Sequence, residues 1–337
     1  AAVHRGAIDC SAGETDALLM GTAKHFGALL EKLSKQPPTM RRLGDDIGAA
    51  LADYNRRTFT LTLGSRSLEL GRRTAVMGIV NVSPDSFYDG GRHFSAEKAV
   101  EHGLRLADEG ADILDVGGES TRPGAQPVEA GEEQERILPV IEGLAARCDV
   151  PLSVDTYKGS TAKRALEAGA VMINDISGLL FDGQMARVAA AGGAALVVMH
   201  MRGEPRTMQK NPVYGNLMGE IVESLARSLE IAAGGGVDPG QVVVDPGIGF
   251  GKTLEHNLHL IAHLSELRSL GRPILAGPSR KSFVGSFGDL PAEERLEGTL
   301  AAVSLAIDRG AHLVRVHDVR AVRRAADVAD ALCRREG

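Results

Sequence analysis

Eight short apolar runs in this 337-residue chain each lead into a residue that can ionise or hydrogen-bond. The first ends in Asn81-Val-Ser-Pro-Asp-Ser-Phe-Tyr-Asp-Gly-Gly91, and the second passes through Asp115 into Gly117-Gly-Glu-Ser-Thr-Arg-Pro-Gly124. The next three end in Asp155-Thr156, Asn174-Asp175 and His200-Met201. The last three end in Asp245-Pro-Gly-Ile-Gly-Phe-Gly-Lys252, Ser279-Arg-Lys281 and Arg315-Val-His317-Asp318. Asp155, Asn174, Asp245 and Lys281 together offer acceptors, a mixed amide and a donor. That set suits a flat heterocycle with several N–H and C=O edges. Arg122, Arg315 and His317 supply cations or donors suited to phosphate. The two glycine-flanked loops, after the first and second runs, have the composition of segments that close over a reaction excluding water.

Taken singly, these residues have plainer readings. Asp155 can cap the helix that follows it, and Asn174 can be a turn residue. Asp115 is harder to set aside, because a carboxylate inside an apolar run needs partners. Capping alone does not place a polar group at nearly every run's end.

The runs are read as strands at Ala75–Val82, Asp112–Gly117, Leu152–Thr156, Met172–Ile176, Ala195–Met199, Val242–Asp245, Ile274–Ala276 and Leu313–Val316. Each is apolar almost throughout, the pattern of a strand covered on both faces. Amphipathic stretches lie between them, among them Ala99–Glu109, Glu132–Arg147 and Leu296–Arg309. Ser95 is the expected N-cap of the first and Gly110 its stop. Eight strand-helix units in about 260 residues match the size of a (β/α)₈ TIM barrel, whose active sites sit where the strands end. An open doubly wound sheet is the alternative, but eight parallel units favour closure.

Thr58–Leu63 and Ser67–Leu70, flanking Gly64-Ser65-Arg66, read as a β-hairpin plugging the barrel's bottom. Residues 1–57 then form a helical N-terminal extension, and residues 58–337 the barrel with its leading hairpin at 58–70. Pro37-Pro38 separates a helix carrying Phe26, Leu30 and Leu33 from one with a stripe of Leu43, Ile47, Leu51 and Tyr54. No chemistry is visible there, and a packing or oligomerisation role is expected.

The bulk numbers narrow the function. With 44 acidic against 38 basic residues the net charge is −6, which argues against a nucleic-acid footprint. Any anionic substrate must be met by a local basic cluster. Cys10, Cys148 and Cys333 fit no metal-ligand spacing and no disulfide framework, so a reducing cytoplasm is expected. No signal-peptide core or membrane-length apolar run is read.

Two patterns mislead. Gly251-Lys252-Thr253 invites a P-loop reading, but position 246, where its first glycine belongs, is Pro246. His256, His259, His263 and Glu266 recur at helical spacing and suggest a metal. With Leu258, Ile261 and Leu264 marking an opposite buried face, they read instead as a solvated stripe.

From about Thr74 to about Val319 the motifs resemble the dihydropteroate synthase family. Asn81-Val-Ser-Pro-Asp-Ser-Phe and Glu119-Ser-Thr-Arg-Pro-Gly124 are similar to its two signature loops. Asp245-Pro-Gly-Ile-Gly-Phe-Gly-Lys, Ser279-Arg-Lys281 and Arg315-Val-His317 are similar to its later motifs, in the expected order. The resemblance implies condensation of pterin pyrophosphate with 4-aminobenzoate (p-aminobenzoate), with sulfonamides competing. It implies that Asp245 accepts from the pterin N3–H and 2-amino group. Lys281 would reach the carbonyl and N5, Asn174 another ring edge, Asp155 the N8 side, and Met199 would pack under the ring, with Asp115 also among the pterin-binding residues. Arg315 would lie against the pterin face and touch phosphate. Asn81, Thr121, Arg122, Arg315 and His317 would handle pyrophosphate, with Mg²⁺ near Asn81. Thr121, Pro123, Phe250 and Ser279 would shape the aminobenzoate pocket. Asp155, Lys281, Arg315 and His317 would carry catalysis, and a homodimer is expected. Ser83 and Tyr88 depart from the family pattern, where many members have Thr and Ser. A pterin-binding methyltransferase shares the barrel and the pterin contacts, but it handles no pyrophosphate and has no need of Arg122 or of Arg315 with His317.

Overall fold

The structure, a computed structural model, describes residues 18–82, 92–120 and 125–333, with the backbone alone at 92–95. It divides into two compact units, Ala1–Asp53 and Tyr54–Gly337.

In the first unit, α1 (Ala23–Ser34) and α2 (Pro38–Asn55) pack through small residues. A Cβ on Gly44 would stand 2.9 Å from the Leu33 Cβ, and one on Gly48 3.7 Å from Leu30. This corrects the expected stripe: Leu43 and Tyr54 are exposed, while Gly44 is buried against Leu33. Hydrophobic periodicity overlooks glycine, which contributes a contact surface by having no side chain.

The second unit opens with a hairpin of β1 (Phe59–Leu63) and β2 (Arg66–Leu70), paired antiparallel with Leu63 opposite Arg66. Gly64, at φ +63°, and Ser65 make its turn, so Arg66 belongs to the strand. Eight parallel strands follow: β3 (Ala75–Asn81), β4 (Ile113–Gly117), β5 (Leu152–Asp155), β6 (Met172–Asp175), β7 (Ala195–Met199), β8 (Val242–Asp245), β9 (Leu275–Ala276) and β10 (Leu313–Val316). Their order is β8-β7-β6-β5-β4-β3-β10-β9. The remaining seam is closed by a parallel bridge of Val244 to Ile274 and by Val244 N–H donating to the Pro273 carbonyl at 2.9 Å. The fold is therefore the TIM barrel expected from the runs.

Alternation along the strands sorts side chains into two cores. Val76, Leu114, Val154, Ile173, Val198, Val244 and Val314 face the surrounding helices. Met77, Ile113, Met172, Val197, Val243, Leu275 and Leu313 fill the barrel's interior, joined from below by Leu61, Leu63 and Leu70 of the hairpin. The hairpin is thus the apolar plug of the barrel's N-terminal end.

Helix starts were the least legible part. α3 runs from Arg92 to Asp108, so Ser95 lies inside the helix instead of capping it. Gly110 does end that segment, at φ +98° with its N–H on the Ala107 carbonyl. The helix α4 spans Ala130–Ala145, beginning and ending two residues before the expected span.

Candidate active site

The inward-facing parity that stacks Met77, Ile113, Met172, Val197, Val243, Leu275 and Leu313 continues upward for one more layer. Two residues further along each strand stand Ile79, Asp115, Asn174, Met199, Asp245, Gly277 and Arg315. Asp155 joins them, its backbone paired in register with Asn174. Asp155, Asn174, Met199, Asp245, Lys281 and Arg315 line one cavity at this end of the barrel. Phe250, Ser279 and His317 complete its wall, together with Ile79, Ile176 and Gly277. The last three were missed because apolar and glycine residues carry no chemical signal in sequence.

Asp115 is fully buried, beneath that wall. Its Oδ2 accepts from Arg315 Nε at 2.6 Å and from Asn174 Nδ2 at 3.0 Å. Through Oδ2, Asp115 fixes two side chains that line the cavity, Arg315 and Asn174. The second arm of Arg315, Nη2, donates to Asp155 Oδ2 at 2.6 Å. Burial pushes the Asp155 carboxyl up to about 7; Arg315 opposes that shift and Asp115 adds to it. The Arg315 guanidinium is held firmly charged, because Asp115 and Asp155 outweigh the cost of its burial.

Across the cavity, Asp245 Oδ1 accepts the Gly247 N–H at 2.7 Å. Burial raises the Asp245 carboxyl, opposed chiefly by Lys281. Lys281 Nζ lies 4.5 Å from the centre of the Phe250 ring and donates to the Ile248 carbonyl. Burial draws its ammonium down to about 8, with Asp245 holding it up and Arg315 pressing it lower. The loop between Asp245 and Lys252 depends on glycine: a Cβ on Gly247, at φ +69°, would meet the His200 carbonyl at 1.9 Å.

The Ser279-Arg-Lys281 motif works through its middle residue. Arg280 adopts φ +55°, uncommon for a residue with a side chain. A two-pronged pair holds it there, Nε to Asp318 Oδ2 at 2.8 Å and Nη2 to Oδ1 at 2.6 Å. Its N–H also donates to Thr299 Oγ1 at 3.0 Å. This turn brings both Ser279 and Lys281 to the cavity. Ser279 Oγ lies 3.0 Å from His317 Nδ1 and accepts the His317 N–H at 3.1 Å, tying β9's loop to the end of β10.

Asn81 is exposed at the end of β3. Thr121, Arg122 and Pro123, with Ser83 and Tyr88, lie outside the described residues. The described root of the second loop is held by ion pairs and a hydrogen bond. Glu119 accepts from Tyr157 Oη at 2.8 Å and pairs with Lys158, which also reaches Glu133 at 3.1 Å. Glu133 had a sequence signal: it shares a helical face with Ile137, Val140, Ile141 and Leu144, all buried. A carboxylate on an apolar stripe requires buried donors, and Thr161 and Thr156 supply them at 2.9 and 3.2 Å.

The histidine stripe holds no metal set: among the described residues no group of three or more metal-binding side chains converges. His256 caps its own helix with Thr253, His259 stacks on His263, and His263 pairs with Glu266 at 3.0 Å. Leu258 is exposed, so the buried face runs through Leu260, Ile261 and Leu264.

Residues 77–317 match the family described as "Pterin binding enzyme". The dihydropteroate synthase of Synechocystis sp. is 47% identical over 81% of this chain and 95% of its own length. A Xanthomonas albilineans dihydropteroate synthase solved with 4-aminobenzoic acid superposes with a TM-score of 0.77 at 46% identity, covering 82% of this chain and 98% of that one. The Yersinia pestis dihydropteroate synthase in a sulfonamide drug complex superposes equally, TM-score 0.77 at 43% identity, covering 81% and 99%.

Proposed function

The chain belongs to the pterin-binding enzyme family, and from that premise we propose how its own residues carry the reaction. It is a transferase of folate biosynthesis, condensing (7,8-dihydropterin-6-yl)methyl diphosphate with 4-aminobenzoate to give 7,8-dihydropteroate and diphosphate. Sulfonamides, bound by the Yersinia pestis relative, compete for the arylamine position.

The observation that carries the assignment of roles is the charge layout of the cavity. Carboxylates stand at two sides, Asp155 and Asp245, with Lys281 and Arg315 between. Asp245 accepts from the N–H edge of the pterin, while Asn174 and Lys281 meet its other polar edges, and Met199 packs beneath. Arg315 lies against the ring, and Asp115 acts as its anchor. The bond from the exocyclic methylene to diphosphate breaks with its electron pair on the leaving group. The arylamine nitrogen forms the new C–N bond and gives up a proton. Asp155 faces the positive charge that develops on the ring, so the carboxylate form is the useful one. Arg315 and His317, with Thr121 and Arg122, meet the departing anion. Phe250 and Ser279, with Thr121 and Pro123, shape the arylamine pocket.

Asn81 offers a single amide oxygen at the rim. At phosphate sites Mg²⁺ keeps several waters and takes substrate phosphate oxygens, usually with a protein carboxylate, in whose place Asn81 would supply its amide oxygen. Asn81 would hold a metal that arrives with the substrate, completed by phosphate oxygens and water. When bound, Mg²⁺ offsets the charge of the leaving diphosphate.

A homodimer is part of this reading, supported by exposed Leu305, Val328 and Leu332 on the neighbouring helices Leu296–Asp308 and Val319–Cys333. So is a cytoplasmic setting, which the three scattered cysteines suggest; among the described residues no helix is long and apolar enough to cross a membrane. Release of pyrophosphate from pterin pyrophosphate, measured with and without 4-aminobenzoate, tests the assignment. Arylamine-dependent release is expected; transfer of a methyl group with no pyrophosphate chemistry would replace this reading by the methyltransferase one.

A further inference from the structure

Four consecutive carbonyls after β8 are each held by a different side chain. Lys281 Nζ donates to Ile248 O, Gln209 Nε2 to Gly249 O at 2.6 Å, Lys252 Nζ to Phe250 O at 3.0 Å, and Tyr214 Oη to Gly251 O at 2.8 Å. The segment needs such support. Gly247, Gly249 and Gly251 all have positive φ, at +69°, +82° and +59°, so the loop has few side chains with which to secure itself.

Lys252 is the unusual member. It is 3% exposed, and its other close partner is neutral, the Nδ1 of His200 at 2.9 Å. Burial, with Lys252 and Arg202 nearby, draws the His200 imidazole down to about 3, which keeps it an acceptor. Burying an amine is costly unless it is hydrogen-bonded, and Lys252 makes both of its hydrogen bonds to neutral acceptors. What it fixes is the Phe250 peptide, whose ring forms the cavity wall 4.5 Å from Lys281 Nζ. Tyr214 holds the adjacent peptide and is itself wedged between His256, at 5.0 Å, and the Arg202 guanidinium, at 4.6 Å.

We propose that Lys252 and Tyr214 are positioning residues for the arylamine substrate, acting through the backbone of Phe250 and Gly251 to set the shape of its pocket. The loop after β7 thereby becomes a determinant of arylamine and sulfonamide recognition without touching either molecule. The proposal rests on the dihydropteroate-forming activity assigned above and on Phe250 lining the arylamine side of the cavity. Asp245 and Asn174, which meet the pterin, make their own hydrogen bonds to Gly247 and Asp115 and none to Lys252 or Tyr214.

The test compares the intact chain with Lys252→Met and Tyr214→Phe, checking each fold by circular dichroism. KM for 4-aminobenzoate should rise about tenfold in Lys252→Met and about threefold in Tyr214→Phe. The inhibition constant of a sulfonamide should rise in parallel, while kcat and calorimetric affinity for pterin pyrophosphate stay within twofold. Where Lys252→Met does not fold, Tyr214→Phe, which loses one hydroxyl from a half-buried side chain, decides alone. A folded variant with unchanged arylamine KM overturns the proposal, as does a loss shared equally by kcat and pterin affinity. The wild-type chain reports on the parent reading separately, since that reading fails only if its own pyrophosphate release does not respond to 4-aminobenzoate.

Discussion

Arg315 on β10 donates to Asp155 on β5 at 2.6 Å, joining strands separated by β3 and β4 in the sheet. The bond crosses the barrel mouth and pairs a guanidinium with a carboxylate over the cavity. Even so, burial leaves the Asp155 carboxyl at about 7, well above its ordinary 3.8. A raised carboxyl binds its proton more readily in the folded state. Its contribution to stability is therefore present in acid and is lost as pH rises from 3.8 through about 7. Activity should follow the opposite direction, because the role proposed for Asp155 needs its ionised form. The free enzyme's kcat/KM should rise through about 7 with Asp155 and fall through about 8 as Lys281 loses its proton. Asp155→Asn should lose the acid limb along with most of the rate. A pH profile of pyrophosphate release in which that limb survives unchanged would remove Asp155 from this role.

Asp245 presents a buried carboxylate opposite two expected N–H donors. A charge-assisted bond of this kind contributes roughly 1.5–3 kcal/mol. Asp245→Ala should weaken pterin binding by at least tenfold with the fold intact. Calorimetry that finds the same affinity in the variant would contradict the placement of the pterin edge.

The Arg280–Asp318 pair holds a left-handed backbone turn between two cavity residues. Asp318→Ala frees that turn, and both Ser279 and Lys281 lose their placement. A drop in kcat/KM of about tenfold, equivalent to about 1.4 kcal/mol, is expected. The stability cost should be smaller, about 1 kcal/mol or less for a partly exposed pair. Thermal melts and steady-state kinetics on the same sample separate the two; a large fall in melting temperature with normal kcat/KM would refute the assignment.

Binding of the arylamine should depend on the anion. On the proposed roles, pyrophosphate with Mg²⁺ would give Asn81 and Arg122 a shared partner and draw the arylamine pocket together. A sulfonamide should bind at least tenfold more tightly when both are present, a coupling of about 1.4 kcal/mol. Arg122→Ala should remove most of that gain. Equally tight binding with and without pyrophosphate, followed by calorimetry, would indicate a preformed pocket.

The hairpin plug should matter for folding and not for chemistry. Leu61 is fully buried among the lower barrel residues. Leu61→Ala should cost about 2–5 kcal/mol by removing core contacts and leaving a cavity. Pterin affinity of the folded fraction should be unchanged, because the plug lies at the end of the barrel opposite the cavity. Denaturant titration and calorimetry together would expose a coupling between the two ends if one existed.

The sequence by itself determined the strands, their parallel order and the identity of most cavity residues. Runs apolar almost throughout carry that information locally, and in a barrel the inward parity continues from core to site. Asp155, Asn174, Asp245, Lys281 and Arg315 were legible because each is a polar residue where an apolar run stops. What only the tertiary structure decided is how those groups divide their work. Asp115 and Arg315 are 200 positions apart in the chain and hydrogen-bonded in the fold, so no local pattern shows that one anchors the other. Lys252 looked like half of a failed phosphate motif until the fold placed its amine against Phe250 and His200. Glycine contacts such as Gly44 on Leu33 stayed hidden for the complementary reason. Burial and pairing are properties of what surrounds a residue, and closing the barrel creates those surroundings from segments distant in sequence.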